Sequence, residues 1–194
     1  MGIEQDLAKA QELRDLGLNI QELETKVQNI RAEFQKKIKA KKQDFNAEIK
    51  QLFMTVFNRP ELQLSKTETE VKACTDELSY AVQFNEEEHC LYKKLGRDEK
   101  RFTFHYKHNF HFYGGGCSGS NEIELKKAQI SDLERQLNQY TNALQSIDKD
   151  GLYIEYASVE INPLRNSLHN NGRNKGDAKN YTKIEMGNLL QLIQ

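Results

Sequence analysis

The chain has 194 residues, a net charge of −1 and an apolar fraction of 37%, below the roughly 45–50% that is usual for globular domains. The near-zero net charge argues against a strongly basic nucleic-acid-binding domain, and no apolar run approaches the ~18 residues of a membrane span. Three cysteines are too few, and odd in number, for a disulfide framework, so we expect a reducing, cytoplasmic location and no membrane contact. With 29% charged residues, the composition favours long, solvent-exposed helices.

Apolar residues recur with heptad spacing in the first third of the chain. They are separated by alternating steps of four and three residues, and they are Leu16, Ile20, Leu23, Val27, Ile30 and Phe34. This spacing predicts a helix that contacts another helix along a continuous seam. Asn19 and Glu22 have the spacing of a capping box. We therefore expect one helix over about 3–15, a break near Gly17, and a second helix over about 20–57.

The period of the apolar residues changes to two in the next segment, residues 59–118. Alternating residues in 78–84, 89–95 and 101–113 predict strands, and residues 62–71 add a further candidate strand. Together they predict a small antiparallel β-meander over 60–113. The aromatic face of the last strand is expected to form its core.

A second heptad seam occupies the segment 119–149. Its apolar members are Ile123, Ile130, Leu133, Leu137, Tyr140, Leu144 and Ile147. Asn121 and Glu124 repeat the capping-box spacing, and Gly151 follows as a helix stop. We expect this helix to pack antiparallel against the first one.

The final segment, 150–194, predicts a strand, a polar loop over 164–180 and a short terminal helix. The predicted fold class is therefore α+β. A long antiparallel coiled-coil stalk (1–58 and 119–149) carries a small antiparallel β-meander head (59–118), and a strand plus a short helix complete the chain.

The glycine-rich run 114–120 stands between a predicted strand and a predicted helix. The order resembles that of a phosphate-binding loop, but the lysine that contacts the β- and γ-phosphates is absent. A structural hinge is the favoured interpretation. If the loop does bind an anion at the helix N-terminus, the candidate contacts are Gly116, Ser118 and Ser120.

The cysteines and histidines give little support for a metal site or a catalytic site. Cys117 precedes a predicted helix N-terminus, where a thiol pKa is lowered, but no sequence signature pairs it with a histidine. His105 and His111 are separated by roughly 20 Å along an extended strand, too far to bind one ion. We expect no metal, no cofactor and no catalytic residue.

Two basic segments suggest an alternative role with nucleic acid. The first is the lysine run Lys36, Lys37, Lys39, Lys41 and Lys42, and the second is the polar loop with Arg173 and Lys175. Such cations contact phosphates and release counterions. On a helix, however, a charge run is more often a solvated face.

The leading interpretation is a non-enzymatic coiled-coil oligomerisation or adaptor protein. We expect it to form a homodimer or higher oligomer and to bind an unidentified protein partner, using the first seam, Leu16 to Phe34. A nucleic-acid-associated protein is the first alternative, and an anion- or nucleotide-binding module at 114–120 is the second. Heptads alone leave open whether the two seams pair within one chain or between chains.

Overall fold

The computed structural model of the protein describes residues 2–159 and 180–194. The helices are α1 (Ile3–Val56), α2 (Glu122–Asp150) and α3 (Met186–Leu189), and a 3-10 turn, Leu190–Leu192, follows α3. The strands are β1 (Gln63–Lys66), β2 (Glu70–Cys74), β3 (Leu78–Gln83), β4 (His89–Leu95), β5 (Asp98–His108), β6 (Leu152–Val159) and β7 (Thr182–Ile184). The described residues form two compact units, one within 2–41 and 109–151 and the other within 42–108, 152–159 and 180–194.

Helix α1 is a single helix of 54 residues, and the predicted break near Gly17 is wrong. A glycine inside a helix costs about 1 kcal/mol relative to alanine, but it keeps the backbone N–H that the helix needs. Leu16 and Leu18, which are good helix formers, flank the glycine, and Ile20 and Leu23 are buried just beyond it. Asn19 therefore lies inside the helix, and its capping-box spacing is not used.

In the first unit, α1 and α2 run parallel to each other. Along both helices the contacts advance in the same direction: Glu12 forms an ion pair with Lys127 at 2.7 Å, and Lys41 with Asp148 at 3.2 Å. The predicted antiparallel arrangement is therefore wrong. Residues 109–121 have no regular structure over most of their length and, if extended, reach roughly 40 Å. That is close to the roughly 44 Å length of α2, so the connection is long enough to return the chain before α2 starts.

The seam of this unit combines the two predicted heptad patterns. Ile20, Leu23, Val27 and Leu133 are buried together, with the half-buried Ile130 and Leu137 packed against them. The contacts lie within one chain, so at these positions the two seams pair with each other. A supercoil of the pair remains a prediction.

An aromatic cluster extends that seam. Phe34, only 1% exposed, lies edge-on to Phe110, Phe112 and Tyr140 at centroid distances of 5.7, 5.2 and 5.7 Å. Phe112 stacks on Tyr140 at 4.2 Å. The predicted strand 101–113 is thus too long, because β5 ends at His108 and the last two phenylalanines of the alternating run pack on helices.

The second unit is built on one antiparallel sheet with the strand order β1-β2-β3-β4-β5-β6-β7. The meander is confirmed, but the head is larger than predicted. The C-terminal strand β6 pairs with β5, placing Ala157 opposite Thr103, and β7 pairs with β6. These two strands are therefore part of the sheet and are not a separate tail.

One face of the sheet forms the core of this unit with the end of α1 and the C-terminal helical residues. On the sheet side the fully buried residues include Val71, Val82, Leu91 and Phe104. The residues packed on them include Ile49 and Phe53 of α1, Phe57 directly after it, and Leu189, Leu190 and Ile193 at the C-terminal end. The inward-facing residues of the strands recur at every second position. They pack against residues of α1 that are four positions apart, Ile49 and Phe53. The opposite face of the sheet, called the outer face below, carries mostly polar residues.

Candidate interaction site

Large apolar side chains are exposed at the start of α1. Ile3, Leu7 and Leu18 are 79%, 65% and 58% exposed. At about 100° per residue the three positions lie within roughly 60° of one another around the helix. They share one face of the helix, with Arg14 between Leu7 and Leu18, and we call these three positions the N-terminal stripe. Leu125, in the same compact unit, is a further exposed leucine at 42%.

Helix α2 begins beside the second and third turns of α1. Leu13 and Lys9 of α1 line one small cavity with Ile123 and Lys127 of α2. In a parallel pair, the residues of α1 before this point extend beyond the first turn of α2. Ile3 and Leu7 therefore lack the in-chain neighbours that bury Ile20 and the residues after it.

The residues predicted to bind a partner pack within this chain. Ile20, Leu23, Val27 and Phe34 are buried, while Leu16 and Ile30 are half-buried. Contact with another molecule through the four buried side chains would require α2 or residues 109–113 to separate from α1.

The lysine run is distributed over several environments. Lys37 and Lys41 bind Asp148 at 2.7 and 3.2 Å, and the bond from Lys37, followed by that from Lys41, lowers the pKa of the Asp148 carboxyl. Lys36 and Lys39 are exposed, and Lys42 is half-buried. The remaining two candidate cations, Arg173 and Lys175, lie outside the described residues.

The glycine-rich loop already has an anion at the helix N-terminus. Asn121 caps α2 by accepting a hydrogen bond from the Glu124 N–H at 3.0 Å. The Glu124 carboxylate accepts from the N–H and the hydroxyl of Ser120 at 2.9 and 2.5 Å, which lowers its pKa. Gly116 and Ser118 are exposed. A bound phosphate would have to compete with this internal carboxylate.

Gly119 is required by close packing rather than by an unusual backbone angle. A Cβ at this position would lie 2.6 Å from the Leu125 nitrogen and 2.8 Å from the Glu124 carbonyl carbon. Gly116 has no neighbour within 4 Å of the same atom. The glycines of the loop therefore have different roles.

We expect Gly119→Ala to lower the free energy of unfolding by about 1–3 kcal/mol, because backbone atoms must move to admit the methyl group. Gly116→Ala should change it by less than about 0.5 kcal/mol. Urea unfolding followed by circular dichroism measures both. Equal effects of the two substitutions would contradict the packing role of Gly119.

The histidines do not assemble into a metal site in the described part of the chain, where no group of three ligating side chains comes together. His105 instead contacts Glu155 at 3.2 Å and lies 4.3 Å from the Tyr181 ring. Cys117 is exposed in the loop. Among the same described residues, every helix is too short or too polar to cross a bilayer.

The N-terminal stripe was outside the sequence-based site prediction. The heptad pattern begins at Leu16, after Ile3 and Leu7, and Leu18 is out of its register. Their spacing of four and then eleven residues is itself a helical signal. Exposure, however, depends on where α2 begins, and the antiparallel prediction placed α2 in the wrong direction. Comparisons with protein-family models, with curated proteins and with solved structures found no match.

Proposed function

We propose that the protein is a non-enzymatic assembly or adaptor protein that self-associates through the N-terminal stripe. The observation that carries this proposal is the row of exposed apolar side chains, Ile3, Leu7 and Leu18, on one face of a helix end. Scattered exposed leucines are normal, but exposed apolar side chains that share one face of a helix are typical of a binding surface. A second copy offers the same stripe, which suits a symmetric two-helix contact.

The size of the stripe predicts a weak association. Full burial of one leucine or isoleucine contributes about 1.5–3 kcal/mol, and six partly exposed side chains would contribute roughly 5–12 kcal/mol in all. Loss of translational and rotational freedom costs about 4–15 kcal/mol. The dissociation constant should therefore lie in the micromolar to millimolar range, so that the oligomer depends on concentration.

The test replaces Leu7 and Leu18 with glutamate in one variant. The two leucines are exposed and glutamate is a good helix former, so the fold should be retained. Four carboxylates would face one another across the contact, and dimerisation should weaken at least about tenfold. Sedimentation equilibrium from about 10 µM to 1 mM measures the effect on the 22.6 kDa chain.

A matched control is Leu95→Glu, which changes another exposed leucine, 53% accessible, in the other compact unit. This variant should associate like the unmodified chain. If Leu95→Glu weakens association as much as the double variant, or if the unmodified chain stays monomeric throughout the range, the proposed contact is wrong.

Nucleic-acid binding is the second candidate, with less support. Two of the five lysines of the run are engaged by Asp148, which leaves Lys36 and Lys39 as the exposed cations for phosphate contacts. Binding to arbitrary duplex DNA that falls steeply with salt, and falls further in a Lys36→Gln, Lys39→Gln variant, would favour this candidate over self-association.

A further inference from the structure

The outer face of the sheet contains a groove above β3. Its volume is about 610 Å³, within the range of roughly 300–1,000 Å³ that small-molecule sites occupy. β3 places Ser79 between Cys74 on β2 and Lys94 on β4. It also places Ala81 between Lys72 and Tyr92. Ser79, a small residue of the central strand, lines the groove, and the longer side chains of Lys72, Tyr92 and Lys94 line it on the two neighbouring strands.

Cations stand on both walls of this groove. Lys72 comes from β2, Lys94 from β4 and Arg101 from β5. The side chain of neither Lys72 nor Lys94 makes an ion pair or hydrogen bond with a described residue. Neighbouring strands are about 4.8 Å apart, so two strands separate the Cα atoms of the walls by roughly 10 Å across the sheet. Two lysine side chains of this length can reach one ligand from opposite sides.

The third cation is held in place. The Arg101 guanidinium binds the Glu99 carboxylate at 2.8 Å and lies 5.8 Å from the centre of the Tyr92 ring. Burial of Tyr92 in this wall raises the pKa of its hydroxyl. Asp76 and Glu77 lie at the end of the groove, in the β2–β3 turn. The lining therefore holds three carboxylates for three cations. Glu99 is paired with Arg101, and the side chains of Lys72 and Lys94 form no ion pair with a described residue.

We propose that this groove binds a small molecule carrying at least two anionic oxygens, either a phosphate monoester or a dicarboxylate. The ammonium groups of Lys72 and Lys94 contact the anionic oxygens. The Ser79 hydroxyl and the Tyr92 side chain contact the uncharged part. A ligand up to the size of a nucleotide fits the volume. The openness of the site to water makes binding sensitive to ionic strength.

The experiment is an NMR titration of the full chain with three probes: ribose 5-phosphate, succinate and uncharged ribose. At least one charged probe should shift the backbone amides of β2, β3 and β4 around the groove in a saturable manner, and ribose should not. Binding by one charged probe alone identifies whether phosphate or carboxylate is preferred. Absence of saturable shifts for both charged probes up to about 20 mM would overturn the proposal.

Substitutions distinguish a specific binding site from nonspecific attraction to surface charge. Lys72→Gln with Lys94→Gln should weaken probe binding at least about tenfold, and Ser79→Leu, which fills the channel and leaves the charge unchanged, should do the same. Lys107→Gln, an exposed lysine of β5 outside the groove, should change binding less than twofold. Unchanged binding in either the double variant or Ser79→Leu, with the fold intact by its amide spectrum, would also overturn the proposal.

Discussion

Replacing Phe53 with alanine should lower the free energy of unfolding by about 3–5 kcal/mol. Phe53 is fully buried on the part of α1 that covers the sheet, and its ring lies 4.5 Å from that of Phe57. The substitution removes most of a large apolar side chain and leaves a cavity that neighbouring residues fill only in part. Since small domains are stable by about 5–15 kcal/mol, this is a large fraction of the total.

Urea unfolding measured by circular dichroism gives the free energy for Phe53→Ala and for its control, Gln51→Ala. Gln51 is exposed on the same helix, so its replacement should change stability by less than about 0.5 kcal/mol. A Phe53→Ala loss below about 1 kcal/mol would show that this part of α1 does not pack on the sheet as described.

Acid should destabilise the protein through His89. Its ring is 5% exposed and lies 5.5, 5.0 and 4.8 Å from the rings of Phe84, Phe104 and Tyr106. Burial, assisted by the positive charge of Lys42 and by His105, lowers the pKa of His89 from 6.5 to about 4. The Asn85 N–H donates to Nδ1 at 3.2 Å, which fixes the neutral ring with its proton on Nε2.

The unfolded chain binds this proton near pH 6.5 and the folded chain only near pH 4. The contribution of His89 to stability is therefore complete above pH 6.5 and is lost as the pH falls from 6.5 towards 4. The loss should reach about 2 kcal/mol at pH 5 and about 3 kcal/mol below pH 4. Urea unfolding at pH 8, 6 and 5 follows most of this window before the carboxylates take up protons.

The control is His89→Phe, which keeps an aromatic ring but cannot titrate. Whatever its stability at pH 8, the variant should lose about 2 kcal/mol less than the unmodified protein between pH 8 and pH 5. The same pH dependence in both proteins would assign the acid sensitivity to other groups and contradict the buried, neutral state of His89.

The sheet could be predicted from sequence because its strands alternate clearly. The predicted run 89–95 coincides with β4, and Gly96, with a φ of +56°, makes the turn before β5. Helix α2 was predicted for the same kind of reason: Asn121 caps it and its seam faces α1. In these elements local periodicity, capping and burial all favour one structure.

The direction of α2 could not be predicted in this way. Heptad spacing is the same for parallel and antiparallel pairs, and orientation depends on the path of residues 109–121, which the heptads do not encode. Phe110 and Phe112 continue the alternation of β5 in sequence, yet they pack on Phe34. Tertiary contacts therefore overrode a local strand pattern, and this path also decides which part of α1 remains exposed.

The N-terminal stripe could not be predicted from the sequence for a related reason. The first seam, Leu16 to Phe34, has a strong heptad pattern. A helix with such a pattern also pairs readily with another helix of its own chain. Ile3 and Leu7, whose signal is weaker, lie beyond the start of that neighbour, and Leu18 is exposed although it lies past that point. The Glu124 carboxylate likewise occupies the helix N-terminus that the loop sequence offered to an anion.

Intermolecular methyl–methyl contacts of the N-terminal stripe test the proposed self-association most directly. A 1:1 mixture of chains with complementary isotope labels, at about 0.5–1 mM, allows an isotope-filtered NOE experiment that detects only contacts between copies. We predict cross-peaks that join the methyl groups of Ile3, Leu7 and Leu18 of one copy to those of another. A sample without such cross-peaks, or one in which the only contacts between copies arise elsewhere, would contradict assembly through this stripe.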